Sequence, residues 1–78
     1  MNSERLVDMA NQISLFFESY PDRDEAIAGV QGHMKRFWDP RMREAIVAHW
    51  EAGGAGLRDL AHAGVGRLAR EAKSVPSA

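Results

Sequence analysis

Three histidines are the side chains of this sequence best suited to bind a metal ion or to transfer protons near neutral pH. They are His33, His49 and His62, and each falls on a different predicted helix. None has a second ligand at the short helical spacings that zinc sites use. We therefore expect ordinary surface or core-edge histidines and predict no metal site.

Carboxylates and nucleophiles give no catalytic pattern either. Asp22, Asp24 and Glu25 are the densest acidic group, but they lie at a predicted helix start, where acids favour the positive end of the dipole. The serines lack evident histidine and acid partners, and no glycine-rich phosphate loop follows a strand. The chain has no cysteine, which excludes disulfides, thiol nucleophiles and thiolate metal sites. We predict no catalytic, cofactor-binding or metal-binding residue.

The most distinctive segment runs from Phe37 to Arg43 and reads Phe-Trp-Asp-Pro-Arg-Met-Arg. In one interpretation Phe37 and Met42 belong to the core, Trp38 closes the turn and the arginines are solvated. In the other, Trp38, Arg41 and Arg43 form a partner-binding edge, because tryptophan and arginine are enriched among the residues that dominate interface energies. An acidic partner would also relieve the mild penalty of arginines at a helix N-terminus.

The functional interpretation predicts a protein interface rather than a nucleic-acid site. Its net charge of -1 gives the chain a poor electrostatic footprint for a polyanion. The predicted interface also includes the excess apolar surface around Phe16 on the first helix. Its predicted residues are Phe16, Trp38, Arg41, Met42 and Arg43.

Helical periodicity supplies the elements that would position these residues. In the first segment apolar residues recur at steps of four, three, four and three, at Leu6, Ala10, Ile13, Phe17 and Tyr20. Ser3 is predicted to cap this helix, and Pro21 to end it. Asp22 is predicted to cap the second helix. Gly29 and Gly32 within it suggest close approach of another backbone, either from this chain or from a partner.

The second half of the chain contains two further helix patterns. Asp39-Pro40 is a start signal for the third helix, with an aspartate cap and a proline at the first helical position. The glycines of residues 53–56 predict a flexible connection to a fourth helix. That helix has a thin apolar face interrupted by Gly64 and Gly66, so a four-helix bundle and a three-helix core with a loosely attached fourth helix are both open.

The predicted fold is therefore all-α, a small bundle of three to four short helices in a single domain, residues 1–78. We expect helices near 4–20, 23–37, 40–52 and 57–72, and a frayed tail over 74–78. The N-terminus lacks a signal-peptide pattern and no run reaches membrane-spanning length, so we expect a soluble cytoplasmic protein with no membrane contact.

Three blocks of sequence resemble a known family. They are Met9-Ala10-Asn11-Gln12-Ile13, the segment from Phe37 to Arg43, and Gly53-Gly54-Ala55-Gly56-Leu57. In this order they resemble the delta subunit of NAD-dependent molybdenum formate dehydrogenase, over residues 6–60. The family's motif is not an active site, so no catalytic residue carries over.

The resemblance implies an accessory chain of a cytoplasmic enzyme that oxidises formate with NAD. The larger subunits of that enzyme would carry bis-molybdopterin guanine dinucleotide, iron-sulfur clusters and FMN, and none of these should bind here. The expected partners are the other formate dehydrogenase subunits, above all the catalytic alpha subunit, which this chain would stabilise or help to mature. The alternatives are a freestanding chaperone for molybdenum cofactor insertion and a self-associating helical module.

Overall fold

Four α-helices make up the fold in the computed structural model, which describes residues 2–74. They are α1 (Ser3–Phe17), α2 (Arg23–Phe37), α3 (Pro40–Glu51) and α4 (Asp59–Ser74). No strand occurs in this part of the chain, which confirms the all-α prediction. Apart from Ser74, the predicted frayed tail lies outside the described residues. No helix between residues 2 and 74 is long and apolar enough to cross a membrane.

Short polar side chains start the first three helices. Asp22 Oδ1 accepts hydrogen bonds from the backbone N–H groups of Asp24 and Glu25, and Asp39 Oδ1 accepts one from Met42 at 2.9 Å. Both caps confirm the sequence prediction. The predicted cap of α1 was wrong by one residue: Asn2 caps it, accepting from the N–H of Glu4 at 2.9 Å. Asparagine is as good a cap as serine, so the sequence alone did not separate the two.

The first helix ends at Phe17, three residues before its predicted limit. The N–H of Tyr20 bonds to the carbonyl of Phe17 at 3.0 Å in a tight turn. Pro21 follows this turn, and a residue before proline resists helical geometry. The break therefore reaches further back along the chain than proline's missing N–H would require.

The helices form a ring in the order α1, α2, α4, α3, and α2 and α4 make its largest contact. The fourth helix supplies five of the buried core side chains: Leu60, Ala61, Val65, Leu68 and Ala69. A three-helix core with a loosely attached fourth helix is therefore wrong. Small residues made the apolar face of α4 look thin, but they are what lets it pack closely.

The close helix contact lies at Gly64, not at the glycines of α2. A Cβ at Gly64 would lie 2.5 Å from Cγ1 of Val30, so α2 and α4 approach each other where α4 has no side chain. Gly29 is instead covered by the ring of Phe17. Around a Cβ placed at Gly32, no atom of residues 2–74 lies within 4 Å except in the adjoining backbone of α2. Close approach of a backbone within this chain is therefore wrong for both glycines of α2.

The glycine-rich connection between α3 and α4 is tied to α1 rather than free. Gly53, Gly54 and Gly56 have φ angles of 122°, 69° and 86°, which other residues rarely adopt. Asn11 Nδ2 donates to the carbonyl of Gly56 at 2.9 Å, and its Oδ1 accepts from the N–H of Arg58 at 2.8 Å. A flexible connection does not describe this anchored loop.

Candidate functional site

The three histidines do not converge. His33 packs against the ring of Phe37 with centroids 4.8 Å apart, and Nε2 of His49 donates to the carbonyl of Ala55 at 2.7 Å. Nδ1 of His62 accepts from the indole N–H of Trp50 at 3.2 Å. Across residues 2–74 no three histidine or acidic side chains are grouped so that they could hold a metal ion. Each histidine instead has a structural contact.

An open cleft of about 530 Å³ lies where α1 ends and α4 begins, and its charges are paired within the chain. Arg58 donates to both carboxylate oxygens of Glu18, at 2.8 and 3.0 Å, and Arg23 pairs with Asp59 at 3.0 Å. Hydrogen bonding from the Arg58 guanidinium lowers the pKa of Glu18, partial desolvation opposes this, and the Arg58 charge lowers it further. The cleft is thus braced by ion pairs.

Two predicted interface residues serve the chain's own structure. Trp38 is 5% exposed and belongs to the core. Arg43 Nη1 donates to the carbonyls of Lys35 and Trp38, both at 2.9 Å, and so satisfies free carbonyls at the end of α2. Trp38 therefore exposes little surface to a partner, and the side chain of Arg43 is restrained by its hydrogen bonds at the end of α2. The structural interpretation of this segment fits these two residues.

The other predicted interface residues differ in how accessible they are. Met42 is half-buried against the core, so its role there is mainly packing. Arg41 is exposed, and Phe16 is 67% exposed. Phe16 and Arg41 are therefore the two that solvent, and hence a partner, can reach freely.

Phe37 is a surface residue, although one of the two sequence interpretations placed it in the core. It is 71% exposed, whereas its neighbour Trp38 is buried. The core stripe of α2 continues from Met34 by a step of four to Trp38, and not by a step of three to Phe37. Both steps suit a helix, and only the larger side chain at Trp38 hinted at the choice.

Aromatic side chains line one outer side of the bundle, where α1 lies beside α2. The rings of Phe16 and Phe17 are 4.9 Å apart, and those of Phe17 and Tyr20 5.1 Å apart. A small apolar depression of about 230 Å³ lies between Ile13, Phe16, Phe17 and His33. We call this surface the α1–α2 face; its residues are Ile13, Phe16, Phe17, Tyr20, His33 and Phe37.

Two cations lie close in sequence to Phe37, at the end of the bundle where α2 turns into α3. Arg36 and Arg41 are exposed, and neither forms an ion pair with any residue between 2 and 74. Five other basic side chains of the described chain are paired: Arg23, Lys35, Arg58, Arg67 and Lys73. The positive charge at this end is therefore available to a partner.

The three sequence blocks noted above make structural contacts, and the first of them is bonded to the third. Asn11 of the first block binds the glycine-rich block on one side, while the block from Phe37 to Arg43 forms the turn between α2 and α3. These blocks are therefore mainly structural: two of them form the connections from α2 to α3 and from α3 to α4, and the first ties the second of these connections to the middle of α1.

Comparison with known proteins supports the family that these three blocks resemble. No curated protein and no solved structure matches the chain. A family model described as NADH-dependent formate dehydrogenase delta subunit FdsD matches residues 5–65. The match covers α1 from residue 5, all of α2 and α3, and α4 as far as residue 65, and it includes all three blocks. The chain belongs to the family of NADH-dependent formate dehydrogenase delta subunits.

Proposed function

We propose that this chain is a non-catalytic accessory subunit that docks on the other formate dehydrogenase subunits, with the catalytic alpha subunit as its main partner. The α1–α2 face carries the proposal. Phe16 and Phe37 are 67% and 71% exposed, and clustered exposed aromatics on a small domain are typical of a protein interface. The chain's membership of the delta-subunit family supports the other formate dehydrogenase subunits as its binding partners.

A non-catalytic role is supported by where the reactive groups lie. The histidines make structural contacts, and the charged side chains of the cleft between the end of α1 and the start of α4 are paired with each other. Iron-sulfur clusters need thiolate ligands, and the chain has no cysteine. We assign the molybdenum cofactor, the clusters and FMN to the other subunits.

We propose that docking stabilises the alpha subunit or helps it to mature. The test is to coexpress the tagged chain with the other subunits and to measure its stoichiometry in the purified active enzyme. Molybdenum content is measured in parallel for enzyme made without it. Equimolar retention would mark an integral subunit. Absence from the active enzyme, with molybdenum lost when the chain is omitted, would mark a freestanding maturation chaperone.

The docking surface is tested separately by the double substitution Phe16→Ser and Phe37→Ser. Both side chains are largely exposed, so the variant should fold but lose most of its retention in the complex. Leu15→Ser is the matched control, because Leu15 is 49% exposed on the same helix and is not part of the α1–α2 face. Full retention of the double variant would refute this surface.

A further inference from the structure

One side of α2 is shared by Gly29, Gly32, His33, Arg36 and Phe37. Their spacing of three, one, three and one residues places them along a single helical stripe. Phe17 of α1 covers Gly29, so the open part of the stripe begins at Gly32. From there it runs past His33, which lines the apolar depression, to Arg36 and Phe37 at the end of α2.

No contact within residues 2–74 requires a glycine at position 32. At Gly29, Gly64 and Gly66 another side chain packs where a Cβ would stand. At Gly32, apart from the adjoining backbone of α2, no atom of the described residues lies within 4 Å of that place. Glycine inside a helix costs stability relative to alanine. Because no contact within the described residues explains this cost at Gly32, we expect a partner chain to approach the helix closely there.

Unpaired charge identifies the chemistry of the approaching surface. Arg36 follows Gly32 by one helical turn, and Arg41 lies in the first turn of α3, where its charge opposes the helix dipole. Neither forms an ion pair within residues 2–74. Carboxylates on a partner would satisfy both arginines and relieve the penalty at Arg41.

The shape of the face identifies the kind of element that fits. The depression of about 230 Å³ is lined by Ile13, Phe16, Phe17 and His33, and it suits one large apolar side chain. It lies in the seam between two adjacent helices, beside a helix surface with no side chain at Gly32. Helices in grooves present apolar anchors at spacings of three and four residues.

We propose that the α1–α2 face receives an amphipathic helix of the partner subunit. One large apolar side chain of that helix enters the depression, its backbone passes close to Gly32, and its carboxylates meet Arg36 and Arg41. This inference rests on the proposed function and adds the chemistry of the partner surface.

The first test uses Gly32→Gln in the full chain and the formate dehydrogenase complex made without this subunit. With open space at Gly32, the variant should raise the denaturation midpoint of the free chain while weakening binding to the complex by about tenfold or more. Ala72→Gln places the same side chain at an exposed position on α4 and should leave affinity within about twofold. Unchanged affinity of Gly32→Gln would overturn the inference.

The second test reverses charge with Arg36→Glu and Arg41→Glu together. Binding should weaken by about tenfold or more, and the salt dependence of the wild-type affinity should largely disappear. Arg70→Glu is the control, because Arg70 is exposed on α4 and has no ion pair within residues 2–74. A double variant that binds as well as this control would overturn the inference.

These outcomes separate the two proposals. If the wild-type chain does not bind the other subunits, both proposals fail. If Phe16→Ser with Phe37→Ser abolishes binding while the Gly32 and arginine variants bind normally, the face is used without the proposed helix and only this inference fails. If light scattering instead shows that the free chain is a dimer and that Gly32→Gln makes it monomeric, the α1–α2 face binds a second copy of this chain. That result would also overturn the inference.

Discussion

At the scale of single residues, Trp38 and Phe37 show what sequence patterns can and cannot determine. Both are large aromatic residues at the end of α2, and helical periodicity allows either one to point inward. The structure buries Trp38 and exposes Phe37, because the chain turns after Trp38 and brings its indole over the core. That choice depends on the direction of the following helix, which no local pattern contains.

Substituting these two neighbours should have opposite consequences. We expect Trp38→Ala to lower the free energy of unfolding of the isolated chain by about 3–5 kcal/mol, because it leaves a large cavity in the core. Phe37→Ala should change it by no more than about 0.5 kcal/mol and should weaken only the complex. Urea denaturation followed by circular dichroism measures both, and equal losses would contradict the assignment.

The ion pair between Glu18 and Arg58 predicts a dependence on pH. Hydrogen bonds from Arg58 hold the pKa of Glu18 below its ordinary value of 4.5, so the pair stabilises the fold fully above that pH and less as pH falls below it. The difference in unfolding free energy between wild type and Glu18→Gln should therefore be largest near neutral pH and shrink in acid. Glu44→Gln is the control, since Glu44 is exposed and forms no ion pair in the described chain; a constant difference for Glu18→Gln would contradict the prediction.

At the scale of elements, helix starts could be predicted and helix packing could not. Asp22 and Asp39 cap their helices as expected, because capping depends on a few neighbouring residues. The sequence pattern leaves open whether α4 belongs to the core, because the small residues of α4 lower the apparent hydrophobicity of its face. These small residues allow α4 to pack closely against α2, as the contact of Gly64 with Val30 shows.

The contact between α2 and α4 can be tested with Gly64→Ala. The added Cβ would lie 2.5 Å from Cγ1 of the fully buried Val30. Overpacking of about 1–3 kcal/mol should outweigh the gain in helix propensity, which is about 1 kcal/mol. A lower thermal midpoint is therefore expected. An increase would show that α2 and α4 can separate without loss, contrary to the packing described here.

The tie between α1 and the glycine-rich loop rests on Asn11. Asn11→Ala removes two hydrogen bonds to the loop, and we expect a loss of about 1–3 kcal/mol in unfolding free energy. Gln12→Ala, at the exposed neighbouring position, should be close to neutral. Hydrogen exchange of the amides at residues 52–58 should become faster in the Asn11 variant alone.

At the scale of the whole molecule, a chain of 78 residues buries a small share of its surface, so its stability alone is limited. Its polar and glycine-rich motifs bond to other parts of the same chain, whereas the aromatic rings of Phe16 and Phe37 are exposed. Sequence resemblance identified the family, but the proposed docking surface includes Phe37, which one of the two sequence interpretations placed in the core. The exposure of Phe37 could not be predicted from local sequence patterns, because it depends on how the helices pack.

Partner binding should therefore stabilise this chain by mass action. If the remaining subunits are present at 100 times the dissociation constant, the free energy of unfolding should rise by about 2.7 kcal/mol. Phe16→Ser with Phe37→Ser should leave the free chain's thermal midpoint nearly unchanged, since both side chains are mostly exposed, but should remove the rise. Differential scanning fluorimetry on labelled chain measures both quantities across a partner titration. A rise that persists in the double variant would mean that the stabilising contact lies elsewhere on the bundle.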